Sequence, residues 1–167
     1  MATLIRFVIS EFPIIMTILA LLLGAIHSFR KKKRAVSDVF LSYLFLLAVG
    51  LTGLWGFIFH AFFAQIAAAF IGWANSPFQF EVAVANLGMG VVGVFGFRAS
   101  KPYRIAGTIF TTCFLWGAAY GHIVQMFQGN NFAPGNAGLI FYNDLLLPLL
   151  LIIFLFMNTN NSSHRYG

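Results

Sequence analysis

The stretch at residues 76–97, SPFQFEVAVANLGMGVVGVFGF, decides the fold class of this chain. It is mostly apolar over the length of a membrane helix, since roughly 20 such residues cross a bilayer core of ~30 Å. The stretch lacks the period-two alternation that is typical of membrane β-barrel strands. Because backbone groups in lipid must form hydrogen bonds within their own segment, this pattern predicts a transmembrane helix.

The rest of the chain has the same character. Of its 167 residues 60% are hydrophobic and 8% charged, with a mean hydropathy of +0.87, whereas soluble domains carry about 25% charged residues. We predict an all-α polytopic membrane bundle, formed by a single domain over 1–167. Its five transmembrane helices are expected at approximately 13–29, 39–72, 78–97, 103–127 and 139–157, and a polar tail at 158–167.

The predicted helix at 39–72 is longer than a bilayer is thick. At 1.5 Å per residue it would extend ~50 Å, against a hydrocarbon core of ~30 Å. It must therefore tilt strongly, bend near Gly53 and Gly56, or break after His60 into a span and an interfacial piece. The sequence leaves these alternatives open.

The positive charges predict the orientation. The net charge is +6, and nine of the ten Lys and Arg residues lie at 30–34, at 98–104 or at Arg165. Under the positive-inside rule these segments are cytoplasmic, so the N-terminus is outside and the C-terminus inside. We expect a multi-pass protein of the inner (plasma) membrane. Its expected partner is the lipid bilayer, and no binding of nucleic acid is expected. Ser37 and Asp38 are predicted to cap the helix that begins at Val39.

The polar residues inside the predicted spans share one depth. At 1.5 Å per residue Glu81 lies about 25 Å above Arg98, and His122 about 27 Å above Arg104. Ionisable residues within a membrane are rare and face the bundle interior or a water-filled cavity. We therefore predict a pocket that opens to the outer side and binds a small ligand or ion. Its predicted binding residues are His60, Gln65, Glu81, Asn86, His122, Gln125 and Asp144.

Metal or haem chemistry is an alternative for the same residues. Histidine and carboxylate from separate helices suit a transition metal, and His60, His122, Glu81 and Asp144 are the candidate ligands. Two histidines at similar depth also suit axial haem ligation. No paired ligand spacing such as HExxH accompanies them, so the cofactor remains undetermined. The sequence does not decide whether the protein is an enzyme, and it identifies no catalytic residue.

The glycines in the opening stretch form a literal GxGxxG. A dinucleotide-binding fingerprint needs a strand before the glycines and an acid about 20 residues after them, and both are missing here. Within an apolar helix, glycines instead allow close approach of a neighbouring helix. Helix packing is therefore predicted at Gly88, Gly90, Gly93 and Gly96.

Three segments carry a resemblance to other proteins. Residues 76–97, together with FHAFFAQIAAAFIGW upstream and YGHIVQMF downstream, resemble a family of small, uncharacterised prokaryotic membrane proteins with several spans. The resemblance covers roughly 55–145. It implies a membrane protein and carries no activity.

Three functions remain open. The first is ligand or ion binding in the outward pocket, for transport, sensing or an accessory role. The second is a membrane-embedded metal- or haem-dependent oxidoreductase that uses His60 and His122. The third is a structural subunit of a membrane complex. Five spans enclose little volume, so a transporter of this size is expected to form a homo-oligomer or to join other membrane subunits.

Overall fold

The computed structural model describes residues 2–30 and 34–163, and every regular element in these ranges is helical. The predicted all-α fold class is therefore confirmed. Part of the basic cluster (residues 31–33) and the last four residues of the predicted tail lie outside the described ranges. The elements are α1 (Ala2–Ser10), α2 (Phe12–Arg30), α3 (Val36–Tyr43), a π-helical segment (Leu44–Leu51), α4 (Thr52–Phe62), α5 (Ala64–Ile71), α6 (Phe78–Gly96), α7 (Lys101–Gln128), α8 (Pro134–Ala137) and α9 (Leu139–Ser163).

Four helical stretches are long and apolar enough to cross a membrane: Phe12–Arg30, Val36–Phe62, Phe78–Gly96 and Pro134–Asn158. They correspond to four of the five predicted spans. This pattern is typical of an integral membrane protein. The number of spans and their orientation in the bilayer stay predictions.

The remaining predicted span corresponds to α7, which has 28 residues but is not among the four apolar stretches. Its polar residues are concentrated on one face. Arg104, Thr108, Thr111 and His122 are all buried, and their spacings of four, three and eleven residues place them on one side of a helix. The polar face of α7 therefore points into the bundle.

The overlong second helix breaks at Phe63. The helix runs without interruption from Val36 to Phe62, and Phe63 then leaves the helical region with φ −126° and ψ 36°. The separate helix α5 follows and ends at Gly72, whose φ of +76° terminates it in the left-handed conformation. Of the three alternatives, a break shortly after His60 is the one found.

The predicted glycine contact lies between the continuous helix Val36–Phe62 and α6. A Cβ atom on Gly93 would collide with the backbone of Gly50, and one on Gly90 would lie 2.7 Å from the backbone nitrogen of Leu54. Gly96 packs against the Phe45 ring in the same way. These glycines let the two backbones touch.

Gly88 does not share this contact. A Cβ on Gly88 would meet nothing within 4 Å. The prediction of a packing role is therefore wrong for Gly88, because it lies on a different side of α6 from Gly90 and Gly93.

A buried ion pair closes the end of the bundle that carries the basic segments, here called the basic end. Arg104 is 2% exposed, and its Nη1 donates to Oδ1 of Asp38 at 2.7 Å. Its guanidinium also donates to Ser42 Oγ and to the carbonyl oxygens of Gly96 and Phe97, at 2.8–3.0 Å. These bonds join α3, α6 and α7.

Asp38 was predicted to cap a helix, and that prediction is wrong. The helix begins at Val36, its N-cap is Ala35, and no side chain caps it. Asp38 lies in the first turn, where its carboxylate pairs with Arg34 and Arg104. A carboxylate is still favoured there, because the helix N-terminus carries partial positive charge.

The apolar core also lies toward the basic end. Leu41, Leu44, Phe45, Leu147 and Leu151 are fully buried and belong to one cluster. The first three are within two turns of Asp38. Toward the opposite end the helices enclose open space, which is the candidate site.

Candidate functional site

A cavity of about 1510 Å³ lies among α1, α2, α4, α5, α6, α7 and α9, toward the end of the bundle opposite the basic end. Ligand sites commonly have volumes of ~300–1,000 Å³, so the space is ample for a small molecule. Its walls are mainly apolar. Six large aromatic side chains contribute to them: Phe7, Trp55, Phe59, Phe70, Trp73 and Phe114.

One polar group in the wall is formed by α4 and α6. His60 on α4 is half-buried, and its Nδ1 lies 2.8 Å from the amide nitrogen of Gln79 on α6. Because an amide nitrogen only donates, Nδ1 accepts and the ring proton of a neutral His60 is on Nε2. Asn86 lies two turns after Gln79 on the same face of α6, where it donates to the Val82 carbonyl oxygen at 2.9 Å and packs against Gly56.

A second polar group is formed by α7, α8 and α9. His122 is 6% exposed, and its Nδ1 lies 2.7 Å from Oδ1 of Asn136. Its Nε2 lies 3.8 Å from Oδ2 of Asp144, whose residue is 7% exposed. That separation is too long for a hydrogen bond.

Asn136 determines which nitrogen of His122 carries the proton. Its amide nitrogen donates to the carbonyl oxygens of His122 and Asn131, at 3.1 and 2.9 Å. Its Oδ1 is therefore the acceptor, both for the Trp73 indole N–H at 3.1 Å and for His122 Nδ1. A neutral His122 then has its proton on Nδ1 and a free lone pair on Nε2.

A further polar contact and an acidic residue border the cavity. Thr17 on α2 donates to Oδ1 of Asn143 on α9 at 2.7 Å, and both residues are buried. Glu11, between α1 and α2, also lines the cavity. Burial raises the pKa of the Glu11 carboxyl above its ordinary value.

The cavity brings together five of the seven predicted binding residues, which come from α4, α5, α6, α7 and α9: His60, Gln65, Asn86, His122 and Asp144. Their role in binding a ligand stays a prediction, but they do share one site. Their common depth along separate helices is what identified them.

Glu81 and Gln125 do not line this cavity. Glu81 is exposed and lies two residues after Gln79 on α6, a rotation of about 200° that turns it away from His60. Gln125 lies at the end of α7, where its carbonyl oxygen accepts from the backbone nitrogens of Gly129 and Asn131. Neither residue therefore contributes to the wall of this cavity.

The four predicted metal ligands are not assembled into one cluster. Among the described residues, no three His, Cys, Asp or Glu side chains are placed to hold a metal ion together. Glu81 points away from the other three, and His122 with Asp144 forms only a pair. The histidines His60 and His122 do line the same cavity.

The site contains further polar residues that the list of predicted binding residues lacks: Glu11, Gln79 and Asn143, which line the cavity, and Asn136, which bonds His122. Asn136 is fully buried although it lies in a segment rich in Gly, Asn and Pro, which is typical of an exposed loop. Asn143 stands directly before Asp144 at the same depth, so its position was a usable signal. For Asn136 the sequence offers none, because a tertiary contact buries it.

The match to a protein family covers almost the entire chain. Residues 10–164 match the model of DUF6790, a family of unknown function, and the chain belongs to this family. The resemblance to an uncharacterised family is thereby confirmed, over a longer range than the three segments that indicated it. No curated protein and no solved structure matches the chain.

Proposed function

We propose that this DUF6790 protein binds a small, mainly apolar molecule that carries a polar group, in a cavity within the outer part of the membrane. Binding would serve transport, sensing or an accessory role. The observation that carries the proposal is the cavity of about 1510 Å³, whose wall is mainly aromatic and apolar and includes a few polar groups, among them those around His60 and His122. Sites with apolar walls and a few polar groups are typical of small-molecule binding.

The two polar groups would fix the orientation of such a molecule. Under the tautomers described above, His60 offers the Nε2 proton as a donor and His122 offers the Nε2 lone pair as an acceptor. The apolar wall supplies affinity, because burial of apolar surface contributes roughly 25 cal/mol per Å². A ligand with a polar group at one end can satisfy these requirements without exposing polar atoms to lipid.

An oxidoreductase that uses both histidines is the second candidate. It is favoured by the Nδ1–H···Oδ1 bond from His122 to Asn136, because metal-ligating histidines donate their other ring N–H in this way. His60 shows the opposite arrangement, since its Nδ1 accepts from Gln79. A visible spectrum and a metal analysis of the purified protein test this candidate: colourless, metal-free protein would reject it.

The leading proposal is tested by filling the cavity. Ala118 on α7 lines it, whereas Ala106 on the same helix is exposed and does not. We expect Ala118→Phe to abolish binding of naphthylmethanol, a neutral aromatic probe, in calorimetry with protein in lipid nanodiscs. Ala106→Phe is the matched control and should leave binding unchanged. Equal binding by both variants, or none by the wild-type protein, would reject the proposed function.

A further inference from the structure

Among the side chains that the structure describes, the charged ones lining the cavity are both acidic. Glu11 and Asp144 line it, and no Lys or Arg occurs among the described residues that form its wall. Arg34 and Arg104 pair with Asp38 at the basic end. A cavity in low-dielectric surroundings that is lined by one sign of charge favours ligands of the opposite sign.

Asp144 has no donor among the described residues. No hydrogen bond within 3.5 Å joins its carboxylate to the described residues, and its ion-pair contact with them is to His122 Nε2, at 3.8 Å. Buried charges are normally paired and hydrogen-bonded, since isolated burial is costly. The carboxylate, 93% buried by residue and turned to the cavity wall, is therefore a group that still needs a donor.

His122 presents a second acceptor to the same space. Asn136 holds the proton on Nδ1, so the Nε2 atom that faces Asp144 carries a lone pair when the ring is neutral. Two acceptors 3.8 Å apart are complementary to a group with at least two N–H donors. A nitrogen placed about 2.8 Å from each atom satisfies both.

The aromatic surroundings suit a cation. Trp73 lines the cavity, and its ring centroid lies 5.6 Å from that of His122. Aromatic faces attract an ammonium group within about 6 Å of their centroid. A carboxylate or phosphate group would meet two acceptors, one of them the Asp144 carboxylate, which disfavours it.

We propose that the ligand is a lipophilic primary amine, whose ammonium group binds between Asp144 and His122 while its apolar part lies along the aromatic wall. The inference rests on the proposed function, since it specifies the ligand of the same cavity. It also gives distinct roles to the two ends of the molecule: the ammonium supplies selectivity and the apolar part supplies most of the affinity.

The test compares two probes of the same shape, naphthylmethylamine and naphthylmethanol. Binding is measured by calorimetry in nanodiscs of zwitterionic lipid, with protein-free nanodiscs subtracted for partitioning. We expect the amine to bind the wild-type protein at least about tenfold more tightly than the alcohol, which corresponds to ~1.4 kcal/mol. In Asp144→Asn the preference should vanish while the alcohol still binds, which shows that the variant is folded. Asn136→Ala, which frees the His122 tautomer, should weaken the preference.

Three outcomes separate the two proposals. Equal binding of amine and alcohol to the wild-type protein, blocked for both by Ala118→Phe, would overturn the cation assignment and leave the proposed function standing. An amine preference that persists in Asp144→Asn would also overturn the assignment. Failure of both probes to bind the wild-type protein would reject the proposed function itself.

Discussion

Replacing Gly90 by alanine tests the contact on which the fold depends. A Cβ at this position would lie 2.7 Å from the backbone nitrogen of Leu54 and 2.9 Å from its Cγ. Non-bonded heavy atoms pack at about 3.5–4.0 Å, so α4 and α6 would have to separate by roughly 1 Å. A flexible side chain cannot absorb this change, because the nearest atom belongs to the backbone.

The magnitude follows from two opposing effects. Overpacking of a well-packed interface costs about 1–3 kcal/mol, whereas alanine is favoured over glycine within a helix by about 1 kcal/mol. In Gly90→Ala both effects operate, but in Gly88→Ala only the second does, since nothing lies within 4 Å of the added Cβ. The free energy of unfolding should therefore differ between the two variants by about 1–3 kcal/mol, with Gly90→Ala the less stable.

The assay is reversible unfolding in mixed detergent micelles, followed by circular dichroism as the fraction of denaturing detergent is raised. Both variants carry the same substitution on the same helix, so differences in helix propensity and micelle binding cancel. Gly117→Ala on α7 serves as a second open-space control. If Gly90→Ala and Gly88→Ala unfold at the same detergent fraction, the backbone contact between α4 and α6 does not exist as described.

Two further predictions concern buried polar groups. Asn136→Ala removes four hydrogen bonds from a fully buried side chain and should lower the free energy of unfolding by about 2–4 kcal/mol. The control Asn75→Ala changes an exposed residue and should alter that free energy by less than about 0.5 kcal/mol. Equal stability of the two variants in the same unfolding assay would contradict the bonding described. Arg104→Lys replaces a guanidinium that bonds Asp38, Ser42, Gly96 and Phe97 by a group with three donors and should cost about 2 kcal/mol, against almost nothing for the exposed Arg98→Lys.

The sequence predicts well how far along its helix a residue lies, and poorly which way its side chain points. The rise of 1.5 Å per residue places a residue along its helix without knowledge of any neighbour, and this was enough to group His60, His122 and Asp144. Which way a side chain points depends on where the neighbouring helices pack. Depth selected Glu81 and glycine spacing selected Gly88, and each faces away from the contact expected of it.

The break at Phe63 and the pairing of Asp38 show the same limit. Excess length predicted that the helix at 39–72 could not remain one straight span, but three shapes satisfied that condition. Asp38 before an apolar run has the local signature of a cap, and only the tertiary approach of Arg104 turned it into an ion-pair partner. Local chemistry restricts the alternatives, and packing selects among them.

Arg104 and Asp144 are both buried ionisable residues, and their partners differ in a way that distinguishes structure from function. Arg104 has a carboxylate at 2.7 Å and four further hydrogen bonds, so its charge is compensated within the protein. Among the residues that the structure describes, the ion-pair contact of Asp144 is with His122, at 3.8 Å and beyond hydrogen-bond distance. Removing a partner from a buried charge typically costs 3–5 kcal/mol, so a chain gains nothing in stability from keeping such a carboxylate unpaired. The position of Asp144 beside an open cavity is explained if the ligand is the missing partner of its carboxylate. Asp144→Asn should therefore abolish the preference for an amine without unfolding the protein.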